Sequence, residues 1–389
     1  MANDLEQKQL YTVLNAINAQ AKTGGSLTAV DTSSFTTVAQ TVLLSGYDNV
    51  LSAISQVLSN TIFSHRPYEA LLDILYADNI RWGNHVRKIV PLDFDAEKDD
   101  RIDLTDGQSV DPWVVNKPKA KQFNFYGQEL SQRHITIFKD QLDVAFSSEE
   151  EFARFIAMVY ANARDLLTQD EEDVRRMCLA NFIGGIYYTS PNSVINLLTE
   201  YNTATGLSLT AQTVYQPANY DGFIRWASAR ILNVSDQLRQ RGYRWHKNLT
   251  GVSIPRHTPK EYQKFILFSE AYRQIESSTL STTFHNDLVK GFDGFEPVNF
   301  FQNPDHPASV NVTPAIIDDS GEFAKADQIA VNNIFGMIFD RDAMGQTRIN
   351  EWAQATPMNP RGGYSNMYWH RTNRWWNDFT ENAVLFTLS

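Results

Sequence analysis

The chain has 389 residues, 42% hydrophobic, 20% charged and 12% aromatic, close to ordinary globular usage and enough for a sizeable core. A net charge of −11 argues against a dedicated nucleic-acid binder, because gripping phosphates calls for a basic surface. The single cysteine, Cys178, rules out an intramolecular disulfide. It falls on a helical stretch with apolar neighbours, where a buried structural thiol is the expected role.

The N-terminus "MANDLEQKQL" has neither a basic n-region nor an apolar h-region, and no apolar run reaches the length of a bilayer span. The expectation is a soluble protein of a reducing compartment, neither secreted nor membrane-anchored. Residues 1–80 read as an arm followed by helices. "LEQKQLYTVLNAIN" has helical spacing, "GGSLTAVDTSS" breaks it, and "DNVLSAISQVLSNTIF" resumes it through Val50, Ile54, Val57, Leu58 and Ile62. "RPYEALLDILY" predicts one more short helix.

Residues 81–140 mix Pro, Gly and many charges with short alternating runs, Phe123 with Phe125 and Ile135 with Ile137. This reads as a long two-stranded excursion. A lone hairpin is marginal in water, so such an arm makes sense if a neighbouring chain covers it. Its acidic run places Asp93, Asp95, Glu97 and Asp99 as in a calcium loop. However, Lys98 stands where a sharp-turn glycine is needed and Leu104 where a bidentate glutamate is needed. A solvated loop edge is the better reading. Its acids, Asp93 and Asp95 among them, are candidate inter-subunit contacts for basic residues such as Lys117, Lys119 and Lys121.

Residues 141–185 hold the strongest helical signal. Ser148 and Glu151 form a capping box, an apolar stripe runs from Phe152 to Cys178, and Gly184-Gly185 is expected to end the helix. In "QDEEDVRR" the acid-before-base spacing reads as ordinary helix support. Residues 186–300 form a further mixed unit. Asp221 is expected to cap a helix through Leu238, "KFILFSEAYRQIESS" to pass from strand to helix at Ser269, and "GFEPVNFFQNP" to form a strand. Residues 301–389 read as strands: "IAVNNIFGMIFDRDAMG", an aromatic strand from Tyr364 to about Asn377, and a closing strand "NAVLFTLS" with Val384, Phe386 and Leu388 on one face. In the aromatic strand Met367, Trp369 and Trp375 fall on one face and Tyr368, His370 and Trp376 on the other.

No zinc-binding histidine pair, phosphate-binding glycine loop or nucleophile elbow occurs. Neither a cofactor nor a catalytic residue is indicated. Basic residues among the aromatics, Arg361, Arg371 and Arg374, could support stacking on single-stranded nucleic acid. Burial on one face and a subunit contact on the other is the stronger reading.

The order of arm, extended loop, long capped helix, mixed unit and returning strands resembles the major capsid proteins of tailed bacteriophages, the Hong Kong-97-type fold. Three stretches carry the likeness: "KFILFSEAYRQIESSTLSTTFHNDLVKGF", "IFGMIFDRDAMG", and "NPRGGYSNMYWH" with "NAVLF". "IFGMIFDRDAMG" resembles the strand and turn re-entering the P-domain, and "NPRGGYSNMYWH" with "NAVLF" resembles the closing strand pair in capsid proteins of small short-tailed phages with protein-primed replication. The resemblance implies an α+β fold: an N-terminal arm at 1–80, an E-loop at 81–140, a P-domain spine helix at 141–185, an A-domain at 186–300 and P-domain strands at 301–389. It implies a non-enzymatic shell protein. Its partners would be copies of itself in pentamers and hexamers, a scaffolding protein, a portal and, weakly, packaged DNA; its place would be the virion, assembled in the bacterial cytoplasm. Arg361, Arg371 and Arg374 are then candidates for inter-subunit or inner-surface contacts. Asn373 and Asn382 lie in the region that carries the cross-linking asparagine of the fold's namesake, without an identifiable catalytic glutamate. An encapsulin-like compartment shell and a soluble α+β hydrolase are the other readings.

Overall fold

A computed structural model describes residues 7–21, 28–46, 48–51, 53–54, 68–77, 85–93, 99, 101, 104–111, 113, 115–147, 149–252, 254–278 and 294–389. Helices α1 (Gln7–Gln20) and α2 (Thr32–Leu44) come first. The Asp31 carboxylate accepts the Ser34 N–H at 2.7 Å, and the Ser34 hydroxyl accepts the Asp31 N–H, a reciprocal cap. Leu14, Ile17, Phe35 and Val42 bury in one hydrophobic cluster with Val50 and Ile54. Val57, Leu58, Ile62 and Ser148 lie outside the described residues. The short helix expected near "RPYEALLDILY" reduces to a single 3-10 turn, Asp73–Leu75, because Leu72 adopts a left-handed φ of 60° while fully buried. The Glu296 carboxylate holds this strained corner by accepting the N–H groups of Leu72 and Ile74.

Beyond the arm, α3 (Lys139–Ala145) leads into a long spine. The spine comprises α4 (Glu149–Ile156), a π turn (Ala157–Ala161) and α5 (Asn162–Thr189), about 60 Å end to end at 1.5 Å per residue. Its N-terminal half packs on the cluster of α1 and α2, and its C-terminal half on a second, larger core. It does not stop at Gly184-Gly185. A Cβ at Gly184 would lie 2.4 Å from Val312 Cγ1, and one at Gly185 would lie 2.2 Å from the Phe379 ring. These glycines serve close approach inside the helix, which ends at Ser190 before Pro191. Phe379 stacks on Phe182 at 5.3 Å. Gly185→Ala is therefore expected to destabilise the subunit by about 1–3 kcal/mol through overpacking. Adding Phe379→Leu should make the two effects non-additive in a denaturant double-mutant cycle; strict additivity would contradict the contact.

Helices α6 (Leu197–Thr205), α7 (Pro217–Leu238) and α8 (Ser269–Ser278) follow. Helix α7 starts earlier than expected: Pro217 takes the first helical position, where its missing N–H costs nothing, and Asp221 lies inside. A five-stranded sheet gathers strands from distant segments in the order β4 (Val194–Asn196), β14 (Ala383–Thr387), β11 (Ile334–Asp340), β5 (Gln263–Phe268), β6 (Gly294–Val298). Strand β14 lies inside this sheet, and all five of its residues are buried, its apolar ones in the main core. A second sheet has the order β12 (Met344–Ala355), β13 (Tyr364–Asn377), β3 (Gln128–Phe138). The expected closing pair is thus not a pair: β13 and β14 belong to different sheets. The arm strands divide similarly. Strands β1 (Val86–Pro91) and β2 (Ala120–Phe125) pair with each other, while β3 joins β13. The short strands β7 (Val310–Val312), β8 (Ala315–Ile317), β9 (Phe323–Lys325) and β10 (Ile329–Val331) make two small ribbons.

Candidate assembly surfaces

The spine is joined to the β13 sheet by a buried ionic hub. Glu171 is 1% exposed. Its carboxylate accepts Arg175 Nη2 at 3.0 Å, Arg348 Nη2 at 2.6 Å and Arg371 Nη1 at 3.2 Å. Arg371 also donates to Glu351 at 3.0 Å and to the Leu167 carbonyl at 2.6 Å. Burial alone would raise the Glu171 carboxyl, but Arg348, Arg175 and Arg371 overcome it and hold it below the ordinary glutamate range. At the next residue, Glu172 pairs with Arg176, and its carboxylate takes the Tyr68 hydroxyl and the Leu71 N–H. That hydrogen bond, with burial, pushes the Tyr68 phenol up to about 12. The i,i+4 support read in "QDEEDVRR" is present as Glu171–Arg175 and Glu172–Arg176, and it is buried in a core junction.

Cys178 belongs to the same interior. Its thiol is buried beside Asn377 Oδ1 at 2.9 Å, and burial pushes its pKa up to about 12, which leaves it unreactive.

At the base of the arm, Val86, Val90, Phe123 and Phe125 are buried in the chain's own main core. Lys88 of β1 donates to Asp378 Oδ2 at 2.7 Å and to Glu381, which Arg256 also meets at 3.2 Å. Asp378 is fully buried, and its other oxygen accepts the Thr380 N–H at 2.9 Å and hydroxyl at 2.7 Å. The tip is different. Its described residues 104–119 are exposed, with Trp113 at 84% and Val115 at 76%.

The alternation in β13 splits it cleanly at first. Met367, Trp369, Arg371 and Asn373 face inward. Outward, Trp352 stacks on His370 with centroids 4.0 Å apart, and Tyr368 stacks on His134 at 5.4 Å. With Leu130, Gln132, Thr136, Asn366 and Thr372, this open face is aromatic and neutral polar, poorly suited to phosphates. The alternation lapses at the C-terminal end. Trp376, expected beside Tyr368 and His370, buries in the main core, where its ring covers Gly345, and Trp375 stays partly exposed.

The residues singled out from the sequence are not brought together. Arg371 and Arg374 are each 3% exposed. Their place is inside the subunit, with Arg371 neutralised by Glu171 and Glu351 and Arg374 opposite Thr347 on the central strand. Burial lowers the Arg374 pKa. The strand alternation and its lapse turn both inward within the subunit. Asp93 pairs with Arg241 of its own chain, Lys121 donates to the Ser320 carbonyl at 3.3 Å, and Asp95 lies outside the described residues. Lys117, Lys119 and Arg361 are exposed. Asn373 and Asn382 are buried within the subunit, at 0% and 2% exposure. Among the described residues no helix is long and apolar enough to cross a membrane, and no group of His, Cys, Asp and Glu could hold a metal ion.

No curated protein matches the chain in sequence. Solved structures do match in fold. A chain of the capsid structure of Staphylococcus phage Andhra superposes with a TM-score of 0.51 at 10% identity, over 83% of this chain and 85% of that one. A chain in the structure of the head fiber and inner core protein of native bacteriophage P68 gives 0.53 at 11% identity, over 85% and 87%. The family profile described as Phi29-like phage major capsid protein matches residues 13–387. The chain belongs to that family and is a major capsid protein with the Hong Kong-97-type fold, a shell component of a phage virion.

Proposed function

We propose that copies of this chain close into an icosahedral shell around double-stranded DNA, each arm lying across a neighbour and residues 186–300 meeting around five- and six-fold axes. In this reading residues 1–80 are an N-terminal arm, 81–140 the E-loop, 141–185 the P-domain spine helix, and 301–389 the returning strands. The observation that carries it is the arm: a base anchored in its own core and an apolar tip left in solvent. Heterologous contacts that close generate such a shell, and cover for the tip then comes from the assembly. Lys117, Lys119 and Arg361 are exposed charges placed to meet neighbouring subunits. The role is structural and non-enzymatic. A scaffolding protein and a portal are the further partners, and assembly takes place in the host bacterial cytoplasm. A net charge of −11 keeps contact with the packaged DNA weak and non-specific.

Sedimentation tests this reading. Wild-type chain is expected to run as megadalton particles, and chain shortened between residues 94 and 118 as single subunits. Free subunits should bind duplex DNA weakly; tight binding with a steep salt slope would contradict the weak, non-specific contact.

A further inference from the structure

We propose that Trp113 of one copy seats in a groove beside the spine helix of a second copy. This rests on the shell reading and adds to it a specific peg and a specific receptor.

Trp113 is the most exposed of the large apolar side chains in the arm, at 84%, with Val115 close behind. The Trp113 N–H donates to Asp111 Oδ1 at 2.9 Å, a local turn that fixes the backbone at the tip. An indole buries roughly 150–250 Å² when covered, and nothing described in its own chain covers this one.

The receptor is a groove of about 850 Å³ between α5 and the short ribbons, within the size range of sites that hold aromatic groups. Met177, Val312, Phe323 and Trp375 supply apolar walls; Arg176 also lines the groove but is paired with Glu172, which leaves Asp173 and Lys325 as the charges to be met by an occupant. Met177 and Phe323 are 42% and 49% exposed, unusual for side chains of that size flanking a core. The charges argue for the arm as occupant. Asp173 is matched in sign by Lys117 beyond the peg, and Lys325 by Asp111 before it, so an arm entering in one direction satisfies both. The open face around Trp352 and His370 has no such charges and is flat.

Disulfide trapping tests the placement, and it is clean because the one native cysteine is fully buried. In oxidised shells, Trp113→Cys with Phe323→Cys is expected to give a ladder of covalent oligomers, and Trp113→Cys with Trp352→Cys none. The reverse pattern, cross-links within single chains only, or shells without any link would overturn the groove. Wild-type particles report separately on the shell reading: their absence sinks that reading, whereas shells lacking the Phe323→Cys link sink only the placement. If the cysteine variants fail to assemble, charge reversal decides. Lys117→Glu should slow assembly at least about tenfold, and adding Asp173→Lys should restore it; absence of rescue would overturn the pairing.

Discussion

Glu171→Gln is expected to lower the stability of the isolated subunit by about 3–5 kcal/mol, the usual cost of removing one partner from a buried ion pair. The size follows from the hub. Arg175 and Arg371 are each 3% exposed and cannot regain water when the carboxylate becomes an amide. Arg348, Arg371 and Arg175 would be left with Glu351 and the solvent-exposed Asp73. The sign with pH is also set. The folded pKa of Glu171 is lowered, so its stabilisation is fully present above the ordinary glutamate value of 4.5 and is lost as pH falls through the folded value. Denaturant curves of wild type and Glu171→Gln should therefore lie furthest apart near neutrality and converge in acid. A constant gap, or none, would show that the hub does not stabilise the fold.

Lys88→Met should cost a similar amount, about 3–5 kcal/mol, and should act at a different place. Lys88 is the charge that lets Asp378 stay ionised while fully buried. Burial would raise the Asp378 carboxyl, and the Lys88 ammonium lowers it below its ordinary 3.8. In the wild type, stability from this pair is present above 3.8 and falls away in acid. Without Lys88, burial dominates, the folded pKa of Asp378 rises, and the variant should gain stability as pH drops through that raised value. Burial already raises Glu381 in the wild type, and loss of Lys88 raises it further, so the stability gap between the two proteins should narrow as pH falls from neutrality. Hydrogen exchange should locate the damage in β1 and β2, which Lys88 ties to the turn before β14. Parallel pH slopes would contradict the assignment.

Much of this architecture is legible in the sequence where the signal is local. Alternation from Tyr364 to Asn377, with a turn before it, yields a strand of those bounds, and the stripe from Phe152 to Cys178 marks the spine. Local rules failed where a distant contact overruled them. Gly184-Gly185 carries a stop signal, yet Val312 and Phe379 press so closely there that only glycine fits within a continuing helix. The Glu171–Arg175 spacing is visible as i,i+4, but its deciding partners, Arg348 and Arg371, lie 177 and 200 residues away. From the sequence, Arg371 and Arg374 are candidates for a contact surface because the strand reads as buried on one face and open to a subunit on the other. Their burial depends on which sheet neighbour and which helix cover each face. Strand β12 gave no alternation to read, since its first four residues are all buried and the rest mixed. The tip of the arm was legible for the opposite reason: its described residues between 104 and 119 are exposed, so little in the fold overrides their composition.

Electron microscopy of the full-length chain, expressed alone and together with a scaffolding protein, tests the central claim most directly. Closed isometric shells whose walls are built of five- and six-fold clusters of this chain are the expected result. A stable, dispersed monomer under both conditions would contradict it.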